Sequence, residues 1–87
     1  MYSISTAQPL VTALQLGQLL RSARKRRQLT QAQVAARLGL SQNRVSHLEL
    51  HPEEFSLKQL LGWCSVVGLE LRLGERDGAE VSAPVEW

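Results

Sequence analysis

The chain has 87 residues and a single cysteine, Cys64. One cysteine excludes an intrachain disulfide and any cysteine-built metal cluster. It stands within Trp63-Cys64-Ser65-Val66-Val67, where a thiol serves as a small buried hydrophobe. No apolar run approaches the roughly 18 residues of a membrane span, so no membrane association is expected. Residues 1–6 lack the basic start of a secretory signal, which points to the cytoplasm. Acidic residues are missing from the whole of residues 1–48. Histidine is scarce as well, with only His47 and His51. They are four apart, but no motif places a third ligand beside them, so no metal site and no cofactor are expected. Neither a nucleophile–base grouping nor a phosphate loop is present, which argues against an enzyme and a small-molecule substrate.

What is present is an uneven charge. Residues 1–48 carry seven basic side chains, Arg21, Arg24, Lys25, Arg26, Arg27, Arg37 and Arg44. Residues 49–87 carry all eight acidic ones and three basic. The net of +2 is therefore a front of +7 (7 − 0) and a back of −5 (3 − 8). Such a division suits a polyanion-binding front, the plain alternative being a solvated basic face. An apolar fraction of 44% supports one packed domain. A domain this small is marginal alone and gains from a partner copy.

Helix punctuation is strong. Residues 1–11 have no period and read as an N-terminal arm. Thr12 with Gln15 spells a capping box, and Leu16, Leu19, Leu20 and Ala23 recur at helical spacing towards Arg27. The run Arg24 to Arg27 places cations at the negative end of that helix. Thr30 with Gln33 opens a second helix, with Val34, Ala35 and Leu38 inward and Gly39 as its left-handed stop. Ser41 opens a third, with Val45 and Leu48 inward and Pro52 closing it by about His51. Ser56 with Gln59 opens a fourth, whose Leu57, Leu60, Leu61, Cys64 and Val67 share one side until Gly68. Leu69-Glu70-Leu71-Arg72-Leu73 then alternates as a half-buried strand does. A lone strand cannot satisfy its own backbone, so Leu69, Leu71 and Leu73 point to pairing with the same strand of a second copy. The alternative is an extended tail lying on its own helices. The domains expected are the arm 1–11, a helical domain 12–68, a dimerisation strand 69–74 and a tail 75–87 ending on Trp87.

The run from Leu29 to Glu49 is a capped helix, a glycine turn and a second capped helix, with a small residue, Ala35, where two helices cross. This is the helix-turn-helix of DNA-binding proteins. The second of the two helices presents Gln42, Asn43, Arg44, Ser46 and His47 outward. Gln and Asn pair bidentately with adenine, and Arg with guanine. Thr30, Gln31 and Ser41 stand at helix starts, where N–H groups favour phosphate. Lys25, Arg26 and Arg27 add charge towards phosphate.

LTQAQVAARLGLSQNRVSHLE resembles the Cro/C1-type (XRE) helix-turn-helix, a likeness that spans roughly residues 12–67. With the lone strand and the terminal Glu-Trp, the chain is similar to the HipB-type antitoxins of that family. The resemblance implies an all-α, lambda repressor-like bundle of four to five helices, with one C-terminal β-strand pairing across a homodimer. It further implies binding to palindromic operator DNA, autoregulation and a HipA-like serine/threonine kinase toxin as partner. Carried over by position, Ser41, Gln42, Asn43, Arg44 and Ser46 would touch the operator, and Trp87 would anchor the tail on the kinase. Asn43-Arg44 departs from the family at the recognition helix. A stand-alone phage- or plasmid-type repressor, and a protein-interaction module that does not bind DNA, are the competing readings.

Overall fold

The structure, a computed structural model, describes residues 7–76; the greater part of the expected arm and tail, Trp87 included, lies outside them. Four α-helices, α1 (Ala13–Arg26), α2 (Gln31–Leu38), α3 (Gln42–Leu50) and α4 (Leu57–Val67), surround one core, with a single 3-10 turn (Pro52–Glu54) between α3 and α4.

Each α-helix begins on a hydroxyl. Thr12, Thr30, Ser41 and Ser56 accept from the N–H three residues on, each satisfying one of the donors a helix start leaves unpaired. At α2 and α4 the box is complete, because Gln33 and Gln59 accept from the N–H of Thr30 and Ser56 (2.8 and 3.0 Å). At α1 it is not. Gln15 reaches past Thr12, accepts from the Val11 N–H and donates to the Pro9 carbonyl (2.8 Å each). The expected capping box there is thus replaced by a clasp on the preceding segment.

The helices end alike. Gly39 (φ 71°) and Gly68 (φ 79°) take the left-handed conformation, and the next N–H, of Leu40 and Leu69, returns to the carbonyl of Ala35 and Cys64. Gln28 does the same after α1 at φ 58°, with the Leu29 N–H returning to Arg24. No glycine marks that stop, so sequence reading carried the helix one residue further, to Arg27.

The core is Leu20, Ala23, Val34, Ala35, Val45, Leu48, Trp63, Cys64 and Val67. Leu16, Leu29, Leu38, Leu40, Phe55, Leu60, Val66 and Leu69 pack around it. The α4 face keeps Leu60, Cys64 and Val67 inward as expected but differs at three positions. Leu57 and Leu61 are 66% and 49% exposed, and Trp63 is fully buried in their place, edge-on to Phe55 at 4.8 Å. The indole is the largest side chain of the core, and α4 rotates to bury it. Its N–H has no hydrogen-bond partner among the described residues. The Cys64 thiol is buried as expected, and that burial raises its pKa. Gly17 is where α1 meets the 3-10 turn: a Cβ there would press within 2.9 Å of Pro52 Cγ and 3.1 Å of the Glu49 carbonyl.

Residues 69–76 form no strand in the single chain. Leu69 is half-buried, whereas Leu71 is exposed and Leu73 fully so. A strand is defined by its partner's hydrogen bonds, and the described residues of one copy supply none.

Candidate nucleic-acid interface

The face built by the starts of α2 and α3 is held from below by an ion pair. Arg24, on α1, was read as one of four dipole-complementing cations, yet it is buried. Its Nε–H donates to Glu49 Oε2 (2.6 Å), one Nη to Glu49 Oε1 (3.1 Å) and the other to the Leu29 carbonyl (2.9 Å). Gln31 Nε2 adds a third donor to Glu49 Oε1 (3.0 Å). One carboxylate at the end of α3 thus gathers α1 and α2, which sets the angle at which α3 leaves the bundle. All three guanidinium nitrogens and both carboxylate oxygens of the fork–fork pair are hydrogen-bonded, the condition under which a buried charge pair is tolerated.

On that frame Gln42, Asn43 and Arg44 are exposed, and Ser46 and His47 half-buried, all on α3. Thr30 and Ser41 are exposed, and their hydroxyls accept from the N–H of Gln33 and Arg44 (3.0 Å each). An accepting hydroxyl still has its own hydrogen to donate, so both remain suited to a phosphate oxygen. The first N–H groups of α2 and α3 are those of Gln31 and Ala32 and of Gln42 and Asn43, which the helices leave unpaired. Gln31 is half-buried and held by Glu49, so its side chain braces the frame as well as standing at a helix start.

Arg21 was not singled out from sequence. It lines a shallow recess with Gln31 at the start of α2 and with Ser46, Glu49 and Leu50 in the later part of α3. Only its spacing from Arg24, nearly one turn along α1, could have signalled this. Arg27 points elsewhere: its guanidinium lies against Gly68, where a Cβ would collide with it.

Glu54 of the 3-10 turn adds a negative charge at the other end of α3. His47 Nε2 donates to its Oε1 (2.9 Å), and Arg44 approaches to 4.0 Å. The His47 hydrogen bond, aided by the charges of His47, His51 and Arg44, holds the Glu54 carboxyl below its ordinary range. An exposed pair such as Arg44–Glu54 contributes little, so Arg44 can exchange this carboxylate for another acceptor at little cost.

Residues 15–50 match a family model described as a helix-turn-helix domain. No curated protein matches the chain. The match takes in α2, the Gly39 turn, α3 and most of α1, the elements that form the face just described. The segment is thus similar to helix-turn-helix domains, a class common in DNA-binding regulators. Among the described residues no helix is long and apolar enough to cross a membrane.

Proposed function

We propose that this protein is a sequence-specific transcriptional repressor that binds operator DNA as a homodimer in the cytoplasm. One observation carries the reading: α3 exposes Gln42, Asn43 and Arg44 at a capped helix start, on a bundle whose first 48 residues hold seven basic and no acidic side chains. In this reading α3 enters the major groove N-terminus first, and its amides and guanidinium read base edges. Thr30, Gln31, Ser41 and Arg21 fix the register on phosphate, and Ser46 and His47 line the groove. The dimer is supported by Leu73, fully exposed at the end of an alternating segment whose backbone has no strand partner among the described residues. Two copies place two α3 helices on the two halves of a palindrome.

In its finer form the proposal makes the protein the antitoxin of a HipA-type module, autoregulating its operon and binding the kinase toxin through Trp87. The support is the sequence resemblance over residues 12–67, together with the alternating segment and the terminal Glu-Trp. On this reading a HipA-like kinase is encoded beside it, and co-expression with that kinase is expected to yield a complex; no such neighbour, or two proteins that elute separately, would reduce the reading to a stand-alone repressor.

The direct test is binding to DNA from immediately upstream of the gene, across a salt series, against scrambled DNA. Selective binding with a steep salt slope is expected. Arg44→Ala should weaken it by about 1–3 kcal/mol and relax preference at one base pair. Equal loss on scrambled DNA would mean that Arg44 touches phosphate only, and no binding at low salt would overturn the reading.

A further inference from the structure

The sequence offered two histidines and no third ligand. The fold supplies two more groups. The His47 and His51 rings stack with centroids 4.6 Å apart, one turn apart at the end of α3. The 3-10 turn then brings Glu54 Oε1 to 2.9 Å from His47 Nε2, and Glu53 Oε2 to 3.6 Å from His51 Nδ1. Donor atoms of His51, Glu53 and Glu54 all lie within 4.8 Å of one another. Four donors about a tetrahedral ion, each about 2.0–2.1 Å from it, stand roughly 3.4 Å apart. The His47–Glu54 and His51–Glu53 spacings bracket that figure, His47 joining the other three through Glu54, and all four side chains are solvent-accessible and free to close by rotation.

The backbone beneath them is fixed. The His51 N–H caps the His47 carbonyl (2.8 Å), the Glu54 N–H bonds the His51 carbonyl (3.0 Å), and Pro52 is buried against the position that Gly17 keeps open. We infer that His47, His51, Glu53 and Glu54 form a binding site for a divalent transition-metal ion of the Zn2+ class. Two imidazoles with two carboxylates select such ions over Mg2+ and Ca2+, which take oxygen ligands. The ion replaces the His47–Glu54 hydrogen bond and offsets both carboxylate charges. Arg44 is the one cation beside the site among the described residues, and its exposed side chain swings clear as Glu54 turns to the metal. Cys64, buried in the core, is not a ligand.

A consequence rests on the DNA-binding reading above. With Glu53 and Glu54 neutralised and Arg44 released from Glu54, the recognition helix becomes more attractive to DNA, so the metal strengthens operator binding.

The test titrates the full chain, without an affinity tag, with Co2+ and then Zn2+. A saturable visible absorption at one Co2+ per chain, displaced by Zn2+ and untouched by excess Mg2+, is expected. His51→Ala and Glu53→Gln, neither of them in the DNA-reading set, should each weaken it by about tenfold or more, with circular dichroism unchanged. Absent saturable binding, or binding equally tight in both variants, would overturn the site. Zn2+ should then tighten operator binding several-fold in the wild type and not in His51→Ala. Metal binding with unaltered DNA affinity overturns the coupling alone, and a chain that binds metal but no DNA overturns the proposed function and not the site.

Discussion

Arg24 shows how far one residue's meaning depends on its surroundings. Within Arg24-Lys25-Arg26-Arg27 it is one cation of four, and only the partner 25 positions on, Glu49, takes it out of water. Losing one member of a buried ion pair strands the other, at about 3–5 kcal/mol, whereas replacing both with apolar residues is often neutral. Arg24→Ala is therefore expected to lower unfolding stability by about 3–5 kcal/mol, and Arg24→Met with Glu49→Leu by far less. Denaturant melts of the two variants check this, and equal losses would mean that the guanidinium's packing matters more than its charge. Gln28 is a smaller case. A side chain at φ 58° bears a left-handed strain that glycine avoids. Gln28→Gly should raise stability by about 0.5–1 kcal/mol in the same assay, and a loss would show that its Cβ makes a compensating contact.

At the scale of elements, what was local was legible. Hydroxyl caps, amides three residues on and glycine stops are interactions within one turn, so Thr30, Ser41, Ser56, Gly39 and Gly68 disclosed α2, α3 and α4 almost to the residue. The rotation of α4 was not legible, because periodicity offers both a Leu57–Leu61 face and a Trp63–Val67 face, and the size of the cavity chooses between them. The 3-10 turn was missed for the same reason: Pro52 reads as a stop, and that Gly17 leaves it a seat on α1 is a matter of packing. Segment 69–74 belongs to both domains of argument. If the proposed dimer forms through this segment, Leu71→Asp is expected to shift it towards monomer, as followed by sedimentation, without disturbing the helical circular dichroism. An unchanged mass would count against this segment as the dimer surface.

For the whole molecule, the division of charge is joined at one point. Glu49 is the first acidic residue of the chain, and it is spent on Arg24, leaving Gln42 and Asn43 exposed at the start of α3. Glu53 and Glu54 are the next acidic residues and stand beyond the C-terminal end of α3, so that helix runs from a polar start to an acidic close. The sequence by itself determined the helix-turn-helix, its caps, its inward residues Val34, Ala35, Val45 and Leu48, and the identity of the side chains on α3, since each follows from turn-length chemistry and a 3.6-residue period. Only the tertiary structure decided that Arg24 and Gln31 brace Glu49, that Arg21 joins the face, that Trp63 rather than Leu61 fills the core, and that two glutamates meet two histidines. Those are contacts between elements, whose distances depend on how helices cross, and no local pattern encodes a crossing.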